Sequence, residues 1–100
     1  MAKRDKAQIE QNAAQIVNWL AANPAEFEGP GVGEESLTSA AGLSGMEETE
    51  TALDLLENHE VVVREPDKMT MPHRILVKPG RIWPQTRDKA SQTHGAAQAK

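Results

Sequence analysis

The sequence predicts a mainly α domain carrying a small β-hairpin, and three observations carry that prediction. Leu37, Ala40 and Ala41 lead into Gly42-Leu43-Ser44, which reads as a short helix closed by a tight turn. Ala52-Leu53-Asp54-Leu55-Leu56-Glu57 then sets leucines at helical spacing. Finally, Val61-Val62-Val63-Arg64 is a β-branched run whose natural antiparallel mate is Arg74-Ile75-Leu76-Val77-Lys78.

Each element follows from local chemistry. From about Asp5 to Ala22, the residues Ile9, Ala13, Ile16, Val17 and Leu20 recur on one helical face, and Asn23-Pro24 ends the helix because proline disfavours helical geometry in the residue before it. Trp19 lies at the flank of that stripe, which fits partly buried packing or a contact with a partner. Residues 25–33 contain Glu28-Gly29-Pro30-Gly31-Val32-Gly33, read as a flexible connection with a short strand near Val32. These glycines make a poor phosphate cradle, since no strand precedes them and no Gly-Lys-Ser/Thr follows.

A short helix is expected from about Glu34 through Ala41, with Gly42 supplying the left-handed residue at its end. Ser44 and Glu47 have the S-x-x-E spacing of a capping box, so Ser44 is expected to cap the next helix, which runs from Gly45 to about Asn58. Met46, Thr49, Ala52, Leu53 and Leu56 form its inward face, and Glu47, Glu50, Thr51, Asp54 and Asn58 face outward. Leu55 sits off that stripe. The connection from Glu65 to His73 holds Pro66, Asp67, Lys68 and Pro72 and suits a mobile loop between the strands. Ile82-Trp83 is expected to fold back onto the domain, because leaving both exposed forfeits apolar burial. The domain is therefore placed at residues 1–85 and a disordered C-terminal tail at residues 86–100, where no apolar period remains.

Composition bounds the function. One hundred residues with 38% apolar content suffice for one small domain, and with 3% aromatic residues the core must be built largely from aliphatic side chains. Without cysteine there is no disulfide, thiol nucleophile or thiolate metal site, and no run approaches the roughly 20 apolar residues of a membrane helix. A cytoplasmic setting with no membrane partner is the expectation. The net charge of −4 conceals an asymmetry: residues 1–58 carry 3 Lys/Arg against 11 Asp/Glu, and residues 59–100 carry 8 against 4.

Enzyme chemistry is not legible. Ser44 in Gly42-Leu43-Ser44-Gly45-Met46 begins like a nucleophile elbow, fails at the fifth position and lacks triad partners. His59, His73 and His94 have unsuitable spacing for a metal, and His59 fits a helix C-terminal role. No catalytic residue, metal ligand or cofactor is assigned.

Ser36-Leu37-Thr38-Ser39-Ala40-Ala41-Gly42-Leu43-Ser44, followed by Ala52-Leu53-Asp54-Leu55-Leu56-Glu57 and Val61-Val62-Val63-Arg64-Glu65, resembles the winged helix-turn-helix domains of bacterial transcription regulators. The resemblance covers about Asp5 to Trp83 and rests on features shared by superfamily members with unrelated roles. It implies a three-helix core plus a wing, with a recognition helix at Gly45 to Asn58 and a wing at Glu65 to Arg74. It also implies a small DNA-binding regulator of transcription, with duplex DNA as the partner and a homodimer as the assembly. Trp19 and Leu55, off their main stripes, fit such a dimer.

The positions matching the DNA-reading start of the recognition helix are Glu47, Glu48, Glu50 and Thr51. Glutamate can accept from cytosine N4, yet neighbouring phosphates oppose it by about 1 kcal/mol per close like-charge pair even at bulk-water screening. DNA contact is therefore assigned mainly to the basic wing and tail, through Arg64, Lys68, His73, Arg74, Lys78 and Arg81, with Thr51 from the helix. The alternative is protein association, with Glu47, Glu50 and Asp54 receiving a basic protein partner. Acids in a first helical turn also stabilise the helix itself, by roughly 0.3–1 kcal/mol each, with no ligand involved.

Overall fold

A computed structural model describes residues 6–69 and 74–98. The chain is mainly helical with one small three-stranded antiparallel sheet. Helices α1 (Lys6–Ala22) and α2 (Pro24–Phe27) precede strand β1 (Val32–Gly33). Helices α3 (Glu34–Ala40) and α4 (Met46–Asn58) lead to strands β2 (Val62–Asp67) and β3 (Arg74–Pro79), and α5 (Trp83–Gln98) closes the chain.

The apolar stripe of α1 buries Ala13, Ile16 and Leu20. Its end falls where Pro24 was expected to force it, and Asn23 Nδ2 donates to the Trp19 carbonyl at 2.9 Å. The proline then opens an extra helical turn, α2, within a stretch whose glycines and prolines predict a loop. That turn places Phe27 under Trp83, with ring centroids 4.7 Å apart at 88°. Trp83 is 1% exposed, so the chain does fold back onto the domain as expected.

Two helix ends use the same device. After α3, Gly42 takes φ +75°, its N–H donates to the Ser39 carbonyl at 3.2 Å, and the Leu43 N–H donates to the Thr38 carbonyl at 2.9 Å. These paired hydrogen bonds form a Schellman motif. After α4, the Glu60 N–H donates to Glu57 at 3.0 Å and the Val61 N–H to Leu56 at 2.9 Å, with His59 as the C-cap. Here Glu60, not glycine, takes the left-handed φ of 63°.

The start of α4 differs from the expected capping box. Gly45, extended at φ −177°, is the N-cap and offers no side-chain oxygen, so the Ser44–Glu47 pair is one residue out of frame. Glu48 now occupies the third helical position, and its Oε1 would stand 3.2 Å from a Cβ built on Gly45. The turn is held instead by buried hydroxyls. Thr49, fully buried, meets the Thr38 hydroxyl at 2.6 Å and donates to the Gly45 carbonyl at 3.2 Å, tying α3 to α4.

The sheet order is β1-β3-β2, with Val32 opposite Val77 and Arg64 opposite Val77 on the other side. The short strand near Val32 thus makes the hairpin three-stranded. The ladder extends to Asp67 opposite Arg74, which shortens the connection to residues 68–73. Pro66 is accommodated because β2 is an edge strand. Val62 and Val77 are fully buried against Leu37, Leu53 and Ile16 in one core. The helix α5 departs from the unstructured tail expected beyond residue 85. Its anchor is Trp83 at the first position, a tertiary contact that composition does not reveal.

Candidate functional site

The outward face of α4 exposes Glu47, Glu50, Asp54 and Asn58, with Thr51 half-buried among them. The burial of Thr49, Ala52, Leu53 and Leu56 fixes this orientation. No Lys or Arg occurs anywhere from residue 7 to residue 63, while residues 34–58 alone carry Glu34, Glu35, Glu47, Glu48, Glu50, Asp54 and Glu57. The surface built by α3 and α4 therefore has no lysine or arginine of its own.

One cation reaches it from the hairpin. Side chains on a strand alternate between faces, so Arg64 shares the inward face with buried Val62 and points toward the helices. Its Nη1 donates to Glu34 Oε2 at 3.2 Å, Nη2 to Glu57 Oε1 at 2.8 Å, and Nη2 also to Asp54. Nε adds a bond to Glu57 Oε1 at 3.2 Å. One guanidinium thus bridges β2, α3 and α4. Burial works against its charge, and the hydrogen bonds to Glu57, Asp54 and Glu34 more than offset this, raising its pKa above the ordinary arginine value. Three carboxylates around one guanidinium leave a formal surplus of two negative charges.

This arrangement redistributes the residues assigned to DNA. Arg64, expected on phosphate, is engaged by three carboxylates of its own chain. Lys78 pairs with Glu65 at 2.9 Å, and Arg81 with Glu60 at 2.7 Å. Arg74 lies 3.8 Å from Asp67, directly across the ladder. Lys68 is exposed at the outer end of β2, and His73 lies outside the described residues. The Thr51 hydroxyl donates to the carbonyls of Glu47 and Glu48, within its own helix. Of the residues assigned to a basic partner, Glu47 and Glu50 stand on the outward face, whereas Asp54 joins both that face and the Arg64 cluster.

The cluster was missed on sequence because its members come from three separate elements. A signal was nonetheless present: the alternation Val62-Val63-Arg64 places Arg64 on the side of Val62, facing the helix that carries Glu57.

Beside the acidic face, α1 and α4 enclose an open groove of roughly 360 Å³. Ile9 and Leu55 form its apolar floor, and Thr51, Asp54 and Asn58 its α4 rim, with Lys6 and Glu10 opposite. Leu55, off the helix stripe, is only half-buried here, and Trp19 is likewise half-buried against the core.

A second polar junction holds α5. Trp83 Nε1 donates to Glu28 Oε2 at 2.8 Å and Arg87 Nη1 to the same oxygen at 2.9 Å, and these bonds keep the Glu28 carboxyl below the ordinary carboxylate range. Among the described residues, no group of His, Asp and Glu is arranged to hold a metal ion, and no helix is long and apolar enough to cross a membrane. No protein-family model, curated protein or solved structure matches this chain.

Proposed function

We propose that this chain is a winged-helix interaction module that receives a positively charged protein partner on the outward face of α4. One observation carries the reading. Residues 34–58 carry seven acids and no lysine or arginine, and Arg64, which reaches them from β2, is already engaged by three of the carboxylates. A duplex brought to that face would meet like charge, whereas a lysine-rich surface meets complementary charge. The element order supports the winged form: α1, α3 and α4 supply three core helices, and β2–β3 extends beyond them as the wing.

A second reading has its own observation. Lys68 is exposed and Arg74 is about half-exposed at the outer end of the hairpin, and the Arg74–Asp67 pair at 3.8 Å is long. Exposed lysine and half-exposed arginine together put positive charge at the outer end of the hairpin, where a phosphate can reach it. This wing-only contact is the form in which the DNA-binding regulator remains a proposal.

Titrating the isotope-labelled protein with duplex DNA, and separately with a helical lysine-bearing peptide, tests both readings. The association reading expects backbone shifts along Glu47, Glu50 and Asp54 with the peptide. Shifts produced by DNA alone, centred on Lys68 and Arg74 and lost between about 50 and 200 mM salt, would replace it with the wing reading.

A further inference from the structure

Asp54 belongs to two features at once. On one side its Oδ1 accepts from Arg64 in the cluster with Glu34 and Glu57, and on the other it forms the rim of the α1–α4 groove. Its side chain is 61% exposed, against 40% for Glu57 and 11% for Glu34, so it is the member of the cluster most open to an external group. A carboxylate offers about four acceptor sites, and a single guanidinium contact leaves capacity on the second oxygen. The negative surplus around Arg64 thus opens to solvent directly beside the apolar floor made by Ile9 and Leu55.

We propose that this junction is the anchoring point for a basic amphipathic helix. One large aliphatic side chain of that helix fills the groove over Ile9 and Leu55, and a lysine one turn away joins Asp54. The inference rests on the association reading and adds to it both the site and the chemistry of the occupant. Charge complementarity selects the lysine, because the cluster's surplus is negative and the groove lining sets two carboxylates, Asp54 and Glu10, against one lysine, Lys6. The groove floor selects the apolar neighbour, since helix-in-groove recognition uses residues three or four apart on one face. An acidic face alone would not distinguish one basic surface from another; a groove beside Asp54 fixes where the partner's helix lies.

The test uses the full chain and two synthetic helical peptides. One carries leucines on one face flanked by lysines, and in the other every leucine is replaced by alanine with the lysines kept. The leucine peptide is expected to bind about tenfold tighter, the effect of burying one aliphatic side chain. Its shifts should centre on Ile9, Thr51, Leu55 and Asn58. Thr51→Arg, which fills the groove without touching the core, should remove that advantage while the circular dichroism spectrum is retained, and Asp54→Asn should weaken binding of both peptides. Equal binding of the two peptides, with shifts confined to Glu47 and Glu50, would overturn the groove and leave the acidic-face reading standing. Binding of neither peptide at low salt would overturn both.

Discussion

The helical segment from Glu34 to Asn58 and the hairpin from Val62 to Pro79 handle charge in opposite ways. On the hairpin, cations and carboxylates alternate closely enough to pair across strands, as Lys78 with Glu65 and Arg74 with Asp67. On the helices, residues 34–58 carry seven acids and no lysine or arginine, and Arg64 arrives from β2 to pair with three of those acids. A basic stretch in a sequence is therefore a poor guide to a basic surface. Arg64, Arg74 and Lys78 of the hairpin each face a carboxylate of the same chain, whereas the segment from Glu34 to Asn58 carries an excess of acids over lysine and arginine.

Removing the bridge between the two regions should have the largest effect. Arg64→Ala leaves Glu34, Asp54 and Glu57 facing one another without the guanidinium, Glu34 nearly out of solvent. A loss of roughly 2–3 kcal/mol is expected, below the range for a fully buried pair because Asp54 and Glu57 can rehydrate. Urea unfolding of the variant measures it, and an unchanged midpoint would show that the cluster stabilises nothing.

Reversing the helix charge should move binding far more than stability. Glu47→Lys with Glu50→Lys is expected to lower affinity for a lysine-bearing peptide by at least about tenfold and to increase retention on duplex DNA, with the fold retained and a small drop in thermal midpoint from placing a cation in the first helical turn. Fluorescence anisotropy with each ligand provides the comparison. If peptide affinity stayed constant, the acidic face would not be the binding surface.

A smaller effect is expected where the two regions join. Gly42 and Glu60 hold the same left-handed position at the ends of α3 and α4, and only the first is glycine. Glu60→Gly relieves a conformation unfavourable to a side chain and sacrifices an exposed pair with Arg81. A rise in melting temperature of roughly 5 °C is the expected balance. The reciprocal exchange is not available at Gly80, where a Cβ would stand 2.4 Å from the Glu60 carbonyl oxygen.

The smallest effect concerns pH. Hydrogen bonds from Trp83 and Arg87 hold the Glu28 carboxyl below 4.5, and the Arg81 hydrogen bond does the same for Glu60. A carboxyl depressed in the folded state contributes stability above its unfolded value, and that contribution is lost as pH falls through the lower folded value. The Trp83 emission should accordingly stay constant from neutral pH to about 4.5 and change only below it. Glu28→Gln should abolish that acid-range change.

The boundaries of α1, α3 and α4 were legible because each is written locally, in apolar spacing and in Pro24 and Gly42. The capping frame slipped by one residue because Ser44 and Gly45 are both acceptable N-caps. The turn geometry that follows Leu43 decides between them. The helical turn Pro24–Phe27 and the helix from Trp83 were not legible, since four residues and a polar, alanine-rich run gain their stability from the Phe27–Trp83 contact, formed across 56 positions of chain. The acidic outward face of α4 was readable from its period. The engagement of Arg64 was not, because three carboxylates from two helices converge on it only after the sheet has packed.

By itself the sequence determined the types of α1, α3, α4, β2 and β3, the inward face of α4 and the absence of any lysine or arginine between residues 7 and 63. These depend on periodicity and residue identity, which neighbours along the chain are enough to express. Only the tertiary structure decided which charges remain available. Pairing energy depends on distance and desolvation, and both were set when β2 brought Arg64 beside Glu34, Asp54 and Glu57.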